Sequence, residues 1–369
     1  MKFTCEKDVL AQSLSIVAKA ANPASAVEIL KGVKIDATEN TIRLTGSDLE
    51  LFIESTFDAD VKETGSLVLD ARIFSDIVKR MPDGKIEFSS DDTGVVTIRE
   101  KKVKFTLLAL SAEGYPKMNK IEGGRELKLY SRDLKSIIKD TLFAISTNEN
   151  KPILTGSKFE VEGSTLTVIS VDGYRLAIRR QVIPEIKGDG MEFVVPGKVL
   201  SELLKILKDD ETIIDIVIEE NNVMFRYDHY TIITRLLEGE FIDYKKIIPV
   251  DRQTTLTVDV KKVTESIERA AVMVSYDNPD IPIILNIADS SILVSCQTKR
   301  GDFNDAVEVG MEGANLRIGL ASKLLLDALH AVEVPTAILE FNSSLSPCVI
   351  KPVEGNAFLY MVLPIRLKN

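Results

Sequence analysis

The chain has 369 residues, of which 45% are hydrophobic and 28% are charged, and its formal net charge is −10. This composition is typical of a globular chain, and the length allows about two to four domains. The acidic balance argues against a protein that holds nucleic acid by bulk electrostatic attraction, although a basic face can coexist with an acidic exterior.

Neither membrane insertion nor export is predicted. The sequence contains no uncharged apolar run of about 18 residues, and its first residues, MKFTCEKDVL, lack the core of a signal peptide. The three cysteines, Cys5, Cys296 and Cys348, are widely spaced in apolar contexts. We therefore expect reduced, buried thiols in a cytoplasmic protein and no disulfide framework.

Each third of the chain begins with a strand and an amphipathic helix. The strands are predicted at residues 2–5, 127–130 and 256–258, and the helices at about 8–21, after 131, and around 263–271. A loop, an Ile-Leu pair and a hairpin follow each helix, with the hairpins turning at residues 39–40, 162–163 and 289–290. The three thirds therefore start in the same way.

A strand-break-helix segment then occurs three times, at 67–80 (LVLDARIFSDIVKR), 193–208 (FVVPGKVLSELLKILK) and 316–330 (LRIGLASKLLLDALH). Arg72, Lys198 and Lys323 take the same place in the three copies and lie 126 and 125 residues apart. A second hairpin and a last strand complete each copy. We predict an α+β fold of three repeated β-α-β-β-β-α-β-β-β domains, whose helices cover one face of the sheets.

The domain limits are predicted where charged and turn-forming residues interrupt this pattern, at NKIEGGRE (119–126) and PVDRQT (249–254). The predicted domains are 1–121, 127–248 and 254–369. Both connecting segments are short, which favours a fixed arrangement over a flexible string.

Basic residues recur on the polar faces of the predicted helices. Each such residue taken alone is consistent with a solvated helix face, and Asp76, Glu202 and Asp327 on the same faces dilute the positive potential. The repetition in three copies favours a shared function. The set comprises Lys19, Arg72, Lys79, Lys135, Lys139, Lys198, Lys205, Arg269 and Lys323.

The threefold repeat, VDGYRLA at 171–177, FIDYKKIIP at 241–249 and the ending YMVLPIRL at 360–367 together resemble the bacterial DNA polymerase III beta subunits, the sliding clamps. The resemblance covers essentially the whole chain. It implies a head-to-tail homodimer, closed as a ring around duplex DNA, with the helices and their basic residues facing the DNA and the sheets outside. Such a ring stays on DNA by topology and needs few strong phosphate contacts.

The resemblance also implies a groove between the second and third domains that binds short, mostly apolar peptides of the polymerase, the clamp loader and repair proteins. Leu154, Leu176, Ile242 and Ile247 are expected to form its apolar pocket, while Arg175 and Arg366 hold backbone carbonyls or an acidic residue. Gly173 is either a plain turn glycine or a point of close approach for the ligand. The carried-over positions are Lys151, Leu154, Val171, Gly173, Tyr174, Arg175, Leu176, Ile242, Ile247, Ser346, Val362, Leu363, Pro364, Ile365 and Arg366.

This sequence departs from the family pattern at three places. Ile242 stands where many relatives have Pro, and Val171 where many have Thr, so the pocket is expected to be more apolar. The tail Lys368 and Asn369 extends past the usual terminal Leu, which puts in doubt a role for a terminal carboxylate beside the groove.

For the dimer contact, the resemblance implicates the closing strand and second helix of the first domain and the first helix of the third. The corresponding residues are Phe74, Phe105 and Leu107 on one side and Val272 and Met273 on the other. The alternative is that they are plain core residues. Pairing of the two edges would continue one sheet across the boundary and cover both strand edges.

Two other functions are weighed. An enzyme is disfavoured, because the sequence has no phosphate-binding GxxxxGK loop, no GxSxG elbow and no Cys/His cluster with metal spacing; no cofactor, metal or exonuclease activity is expected. The acidic pairs at 91–92 and 209–210 are assigned to hairpin turns. A rigid repeat scaffold that binds client peptides without encircling DNA would share the groove but form no ring.

Overall fold

The computed structural model describes residues 1–117, 121, 123–183, 185–187, 190–276, 278 and 281–367. Over these residues, one order of elements occurs three times, and we call the copies repeats one, two and three. Repeat one contains β1 (Lys2–Glu6), α1 (Lys7–Val17), β2 (Gly32–Thr38), β3 (Thr41–Ser47), β4 (Leu51–Asp58), β5 (Asp60–Glu63), β6 (Gly65–Asp70), α2 (Ala71–Arg80), β7 (Lys85–Ser90), β8 (Val95–Glu100), β9 (Val103–Leu108) and β10 (Leu110–Ser111).

The other two repeats follow the same order. Repeat two contains β11 (Arg125–Tyr130), α3 (Ser131–Leu142), β12 (Gly156–Glu162), β13 (Thr165–Val171), β14 (Arg175–Val182), β15 (Glu185–Lys187), β16 (Met191–Pro196), α4 (Gly197–Ile206), β17 (Ile213–Glu219), β18 (Asn222–Tyr227) and β19 (Tyr230–Arg235). Repeat three contains β20 (Thr254–Asp259), α5 (Val260–Ser275), β21 (Ile283–Ala288), β22 (Ser291–Thr298), β23 (Gly301–Glu308), β24 (Gly310–Gly313), β25 (Leu316–Leu320), α6 (Ser322–His330), β26 (Thr336–Phe341), β27 (Cys348–Pro352), β28 (Phe358–Val362) and β29 (Pro364–Ile365).

The predicted fold class and the order of the major elements are confirmed. Among the described residues, five strands lie between the two helices of each repeat, where the sequence pattern counted three. One of the two additional strands is the apolar strand that leads into the second helix, which the strand-break-helix segment predicted although the three-strand pattern did not count it. The other has only three or four residues (β5, β15, β24). Such a short strand carries too few residues to show an alternating pattern.

The first helix is shorter than predicted, because α1 ends at Val17 and a turn occupies the residues up to Ala20. After Val17, the N–H groups of Lys19 and Ala20 bond to the carbonyls of Ile16 and Val17, three residues back, at 3.1 Å each. These are the tighter hydrogen bonds of a 3₁₀-type turn, so the α-helix ends there.

Asp70 begins the second helix of repeat one. Its carboxylate accepts the N–H groups of Arg72 (3.0 Å) and Ile73 (2.8 Å), a cap that typically contributes about 1 kcal/mol. Phe74 and Val78 on the inner face of α2 are fully buried, as the 3.6-residue spacing predicts. The helix is therefore fixed by its cap and its apolar face together.

The chain forms two compact units. The first comprises Met1–Arg132, Glu185–Gly188 and Lys205–Leu236. The described residues of this unit form a five-stranded sheet of order β5-β1-β7-β8-β9 and a ten-stranded sheet of order β10-β6-β2-β3-β4-β19-β18-β17-β11-β15. The ten-stranded sheet therefore combines strands of repeats one and two.

The second unit comprises Asp133–Pro184, Asp189–Leu204 and Leu237–Asn369. Its described residues form a nine-stranded sheet of order β16-β12-β13-β14-β28-β27-β26-β20-β24 and a five-stranded sheet of order β23-β22-β21-β25-β29. Here the larger sheet combines repeats two and three. Helices α5 and α6 pack on an extensive core that includes Ile267, Leu325 and Tyr360.

Adjacent repeats are joined by one antiparallel strand pair. We call the β4–β19 pair the first junction and the β14–β28 pair the second junction. Ser55 lies opposite Tyr230 in the first, and Arg179 lies opposite Phe358 in the second. The pairing of each strand with its preceding strand aligns β4 with β14 and β19 with β28. In this alignment Ser55 corresponds to Arg179 and Tyr230 to Phe358, so the two junctions have the same register.

The three cysteines are buried and free, as predicted. Burial raises the pKa of the Cys5 thiol to about 12 and raises the pKa of Cys348 further still, so these thiols stay protonated near neutral pH. Among the helices of the described residues, none has the length and apolarity needed to cross a membrane.

The predicted domain limits remain predictions. Part of the first predicted linker, at residues 119, 120 and 122, lies outside the described residues. The tail residues Lys368 and Asn369 lie outside them as well.

Candidate functional site

The second junction brings distant segments of the predicted groove together. The pairing of β14 with β28 places Arg175 opposite Val362 and Leu176 opposite Met361. One residue beyond the paired strands, the Leu363 N–H donates to the Tyr174 carbonyl at 2.8 Å. The 171–176 and 360–366 segments are therefore neighbours, although about 190 residues separate them in sequence.

An apolar cluster lies beneath this pair of strands. Val171 and Leu176 are buried in it together with Val349, Met361 and Tyr244. The partly buried side chains that pack on this cluster are Leu154, Phe241, Ile247, Ile248 and Leu359. Three of the four residues predicted for the apolar pocket, at 154, 176 and 247, thus belong to one cluster. The fourth, at 242, is 41% exposed and is not among the side chains described as packing on it.

Tyr244 fixes the 241–249 segment against the sheet. Its hydroxyl donates to the Glu160 carboxylate at 2.6 Å, and Lys158 pairs with the same carboxylate at 2.7 Å. Burial favours the neutral form of Glu160, but the hydrogen bonds from Lys158 and Tyr244 outweigh it, and the pKa of Glu160 is lowered. These contacts hold the 241–249 segment of the predicted groove in place.

A tight turn forms the exposed end of β14. Asp172 Oδ1 accepts the N–H groups of Tyr174 (2.9 Å) and Arg175 (3.0 Å), which is an Asx turn. Gly173 has φ +94°, and a Cβ placed there would meet no heavy atom of the described chain within 4 Å. Its backbone conformation therefore accounts for the glycine, in agreement with the turn interpretation.

Arg175 is held inside the protein. Its Nε donates to Asp172 Oδ2 at 2.9 Å, one Nη donates to Asp327 Oδ2 on α6, and the guanidinium lies 5.3 Å from the centre of the Phe143 ring. The side chain is only 11% exposed. These contacts give Arg175 a supporting role, and hydrogen bonds from it to a ligand remain a prediction.

The other groove residues differ in accessibility. Lys151, Tyr174, Leu363 and Arg366 are exposed, whereas Val362 is fully buried. The Ser346 and Ser343 hydroxyls are 2.8 Å apart. Pro364 and Ile365 form β29, which pairs with β25, so the chain after Val362 passes from the nine-stranded to the five-stranded sheet.

The predicted basic residues occupy helices α2 to α6 and the turn after α1. Arg72, Lys198 and Lys323 are each the second residue of their helix and are exposed. A cation in the first turn opposes the helix dipole, and the first turns of these three helices carry no acidic residue. Interaction with the helix dipole therefore does not explain the repeated placement.

Some of the predicted basic residues form ion pairs with acidic neighbours. Arg269 pairs with Asp305, and Lys139 lies 3.4 Å from Glu333. Two of the acidic residues on the same helix faces pair with arginines outside the predicted basic set: Asp76 with Arg80 at 3.4 Å, and Asp327 with Arg175. These two carboxylates therefore neutralise less of the positive charge of the predicted basic residues. Lys79, Lys205 and Lys139 are exposed, and Lys19 and Lys135 are half-buried.

The predicted dimer contact falls on two sheet edges. Among the described residues β9 pairs with β8 alone and β23 with β22 alone. Phe105 and Leu107 on β9 are half-buried, and Val272 on α5 is 53% exposed next to the partly buried Met273. The prediction is wrong for Phe74, because its ring is fully buried, edge-to-face with Phe88, and cannot reach a partner.

Sequence reasoning missed the contact of Asp327 with Arg175 and the structural role of Tyr244. Asp327 carries no signal for it, since the matching residues Asp76 and Glu202 in the other repeats suggest only a solvated helix face. Tyr244 stands in the motif FIDYKKIIP, but its partner Glu160 is 84 residues away. In the described part of the chain, no group of three or more His, Cys, Asp or Glu side chains is arranged to hold a metal ion.

Three family models match the chain in succession. They are described as the N-terminal domain (residues 1–119), the central domain (128–243) and the C-terminal domain (245–366) of the DNA polymerase III beta subunit. Together they cover nearly the whole sequence.

Curated relatives and solved structures agree with these models. The chain is 34% identical to the beta sliding clamp of Halalkalibacterium halodurans and 33% identical to that of Bacillus subtilis, with 99% of this chain and 100% of each relative covered. The crystal structure of the Bacillus subtilis DNA polymerase sliding clamp matches with a TM-score of 0.96 at 33% identity over 100% of both chains. That of the Streptococcus pneumoniae DNA polymerase III beta chain matches with a TM-score of 0.93 at 28% identity, covering 99% of this chain and 100% of the other.

Proposed function

The chain belongs to the family of DNA polymerase III beta subunits, the beta sliding clamps, and we propose from this that two copies close as a ring around duplex DNA. The ring tethers the replicative polymerase, the clamp loader and repair proteins to the DNA, which makes synthesis processive. It acts in the cytoplasm, where its DNA partner lies. The protein itself catalyses no reaction in this proposal.

The observation that carries the ring is the equal register of the two junctions. In each junction the third strand after the first helix of one repeat pairs with the strand that follows the second hairpin of the next repeat. Repeat three has such a third strand, β23, and repeat one has such a strand after its second hairpin, β9. Both are sheet edges in the described chain. Pairing of β23 from one copy with β9 from another repeats the same junction head-to-tail.

The register of this third junction follows from the other two. Phe303 corresponds to Ile53 and Ala177, and Phe105 corresponds to Ile232 and Tyr360, which pair with them. We therefore expect Phe303 of one copy to lie opposite Phe105 of the other. Asp305 is then opposite Val103 and Gly301 opposite Leu107.

The side chains of the two edges suit this pairing. The matching positions in the closed junctions, Ile232 and Tyr360, are at most 1% exposed, whereas Phe105 is half-buried. Pairing would cover Phe105 and Phe303 against each other, and it would bring Lys104 within diagonal reach of Asp302. Val272 and Met273 on α5 are proposed to lie beside this contact.

The basic helix residues are proposed to face the DNA. A ring held by topology needs only loose, sequence-independent attraction, and a chain with net charge −10 suits weak contact more than tight binding. The placement of Arg72, Lys198 and Lys323 against the dipoles of their helices supports a role outside folding.

The second junction is proposed to bind client peptides. Leu154 and Ile247 present partly buried apolar surface above Leu176, and Tyr174 and Leu363 flank it with exposed apolar surface. A Leu or Phe anchor of an extended peptide suits such a surface. We propose that this site takes short, mostly apolar motifs of the QLxLF type.

The ring and the scaffold alternative differ in how the protein stays on DNA. We expect the clamp, loaded on circular DNA, to survive a wash at about 0.5 M salt, because screening weakens phosphate contacts but leaves the ring closed. Cutting the circle should release it. Equal loss from circular and linear DNA would contradict the proposal.

The mass in solution gives an independent measurement. Light scattering after size exclusion should give roughly twice the chain mass of 40.8 kDa. A monomer at micromolar concentration would favour a scaffold that binds peptides without encircling DNA.

A further inference from the structure

The structure links the proposed peptide groove to a helix on which none of the groove residues lies. We propose that Asp327 of α6 is a positioning residue for peptide binding, which acts by holding Arg175 and, through it, the turn at 172–175. This inference rests on the proposed peptide site, and it assigns Asp327 no direct contact with a ligand.

A continuous set of polar contacts connects the two places. Asp327 Oδ2 accepts a hydrogen bond from an Arg175 Nη, and Arg175 Nε donates to Asp172 Oδ2 at 2.9 Å. Asp172 Oδ1 in turn accepts the N–H groups of Tyr174 and Arg175. The Tyr174 carbonyl accepts the Leu363 N–H at 2.8 Å. Each step from helix to groove is thus a described hydrogen bond.

The charged side chains in these contacts are largely shielded from water, so the loss of one contact is not replaced by hydration. The side chains of Arg175 and Asp172 are 11% and 15% exposed, and that of Asp327 is 30% exposed. A guanidinium with so little access to water depends on its two carboxylates and on the Phe143 ring beneath it. When one carboxylate loses its charge, Arg175 must shift to find another partner, and the turn that it supports shifts with it.

The first junction has the same Asx turn, but a different residue stands in the place of Arg175. Asp48 Oδ1 accepts the N–H groups of Glu50 (3.1 Å) and Leu51 (2.8 Å), as Asp172 does in the second junction. The residue that corresponds to Arg175 is Leu51, which cannot pair with a carboxylate. Asp76, which corresponds to Asp327, pairs with Arg80 on its own helix. Leu51 and Asp76 therefore form no counterpart of the Arg175–Asp327 contact, which is specific to the junction that carries the proposed peptide groove.

The test measures binding of a fluorescent QLxLF-type peptide to the full-length protein by anisotropy. Asp327→Asn should weaken binding by roughly tenfold, the size of a typical coupling between sites, and Arg175→Ala by at least as much. The double variant should bind no more weakly than Arg175→Ala alone, because Asp327 acts through Arg175. Asp76→Asn is the matched control and should bind as the wild type does.

Asp327→Glu separates the charge from the packing. It keeps the carboxylate, so it should retain most of the affinity that Asp327→Asn loses. Equal losses for the two variants, or wild-type affinity for Asp327→Asn, would overturn the inference. Additive losses in the double variant would overturn it as well. Melting temperature and mass by light scattering show for each variant whether the folded dimer persists.

The same assay distinguishes this inference from the proposed function. If the wild type fails to bind the peptide, or if Leu176→Ala binds as well as the wild type, the peptide site itself is wrong. If Leu176→Ala loses binding while Asp327→Asn keeps it, only the positioning role is wrong.

Discussion

The two junctions share one architecture but differ in lining. Each is a pair of antiparallel strands, and the two pairs have the same register. An Asx turn precedes β4 in the first junction and β14 in the second. Val171 of the second junction corresponds to Ser47 of the first, which is polar and fully buried. Leu363 of the second junction corresponds to Arg235 of the first. The apolar groove positions are thus partly polar in the first junction.

The first junction also contains a cavity of about 320 Å³. Its lining is largely polar and includes Glu50, Glu220, Asn222 and Arg235. An apolar peptide anchor would have to desolvate these groups without replacing their hydrogen bonds. The strand pair joins the repeats in both junctions, whereas the proposed peptide site depends on the few side chains around that pair.

The largest effect is expected at the proposed third junction, between copies. Phe105→Asp places a charge where the matching positions 232 and 360 are buried, and it should raise the dimer dissociation constant by more than about a hundredfold. Dilution series in analytical ultracentrifugation measure this. Lys102→Asp, at an exposed position outside β9, is the control and should leave the dimer intact. An unchanged dimer in Phe105→Asp would contradict the inferred pairing of β9 with β23.

The next effect separates the two closed junctions. Leu176→Ala should lower the free energy of unfolding by about 2–4 kcal/mol, because the side chain is fully buried, and should weaken QLxLF-type peptide binding more than about tenfold. Phe52→Ala at the corresponding position of the first junction should also destabilise the fold but leave peptide affinity unchanged. Calorimetry and peptide titration measure the two quantities. Loss of binding in both variants would place the peptide elsewhere.

A smaller effect concerns pH. At the second junction Arg179 pairs with the buried Asp140 at 3.0 Å, whereas Ser55, at the corresponding position of the first junction, donates to Ser13. Burial, together with the nearby Glu333, raises the pKa of Asp140 to about 6 from an ordinary value of 3.8. The folded chain therefore binds a proton that the unfolded chain has lost between about pH 4 and 6, and this group makes the fold less stable as pH rises through that range.

Because of Asp140, the free energy of unfolding should fall by about 1–3 kcal/mol between pH 4 and pH 6. Asp140→Asn should abolish this part of the decrease. Ser13→Ala, which removes the partner of Ser55 on α1, removes no titrating group, and its pH profile should parallel that of the wild type. Urea unfolding at pH 4, 5, 6 and 7 measures both. A pH profile of Asp140→Asn parallel to the wild type would show that Asp140 has an ordinary pKa.

The smallest effect is expected for single basic residues on the helices. Arg72→Ala in the first unit and Lys323→Ala in the second should each weaken binding to linear duplex DNA only about two- to threefold and lower the salt slope by roughly 1. Peptide affinity should not change in either. Unaltered salt slopes in both variants would argue that these residues do not face DNA.

The sequence predicted the repeat, the order of the major elements and the position of three basic residues at the starts of helices, because each depends on local spacing. Apolar residues at the 3.6-residue period predict the second helices, and the alignment of Arg72, Lys198 and Lys323 needs only counting. The early end of α1 and the shortest strands were missed, since a change to tighter backbone hydrogen bonds and strands of three or four residues leave no periodic signal. The resemblance supplied the groove residues, which spacing alone could not connect.

What the sequence determined by itself is the threefold repetition and the identity of the faces that are buried, because the hydrophobic period is written in each segment. Which repeat joins which, and in what register, was decided by the tertiary structure, since strand pairing depends on residues far apart in the chain. Tertiary structure also assigned Phe74 to the core and joined Arg175 to Asp327 across 152 residues. A long-range contact between charged side chains has no local pattern from which it can be predicted.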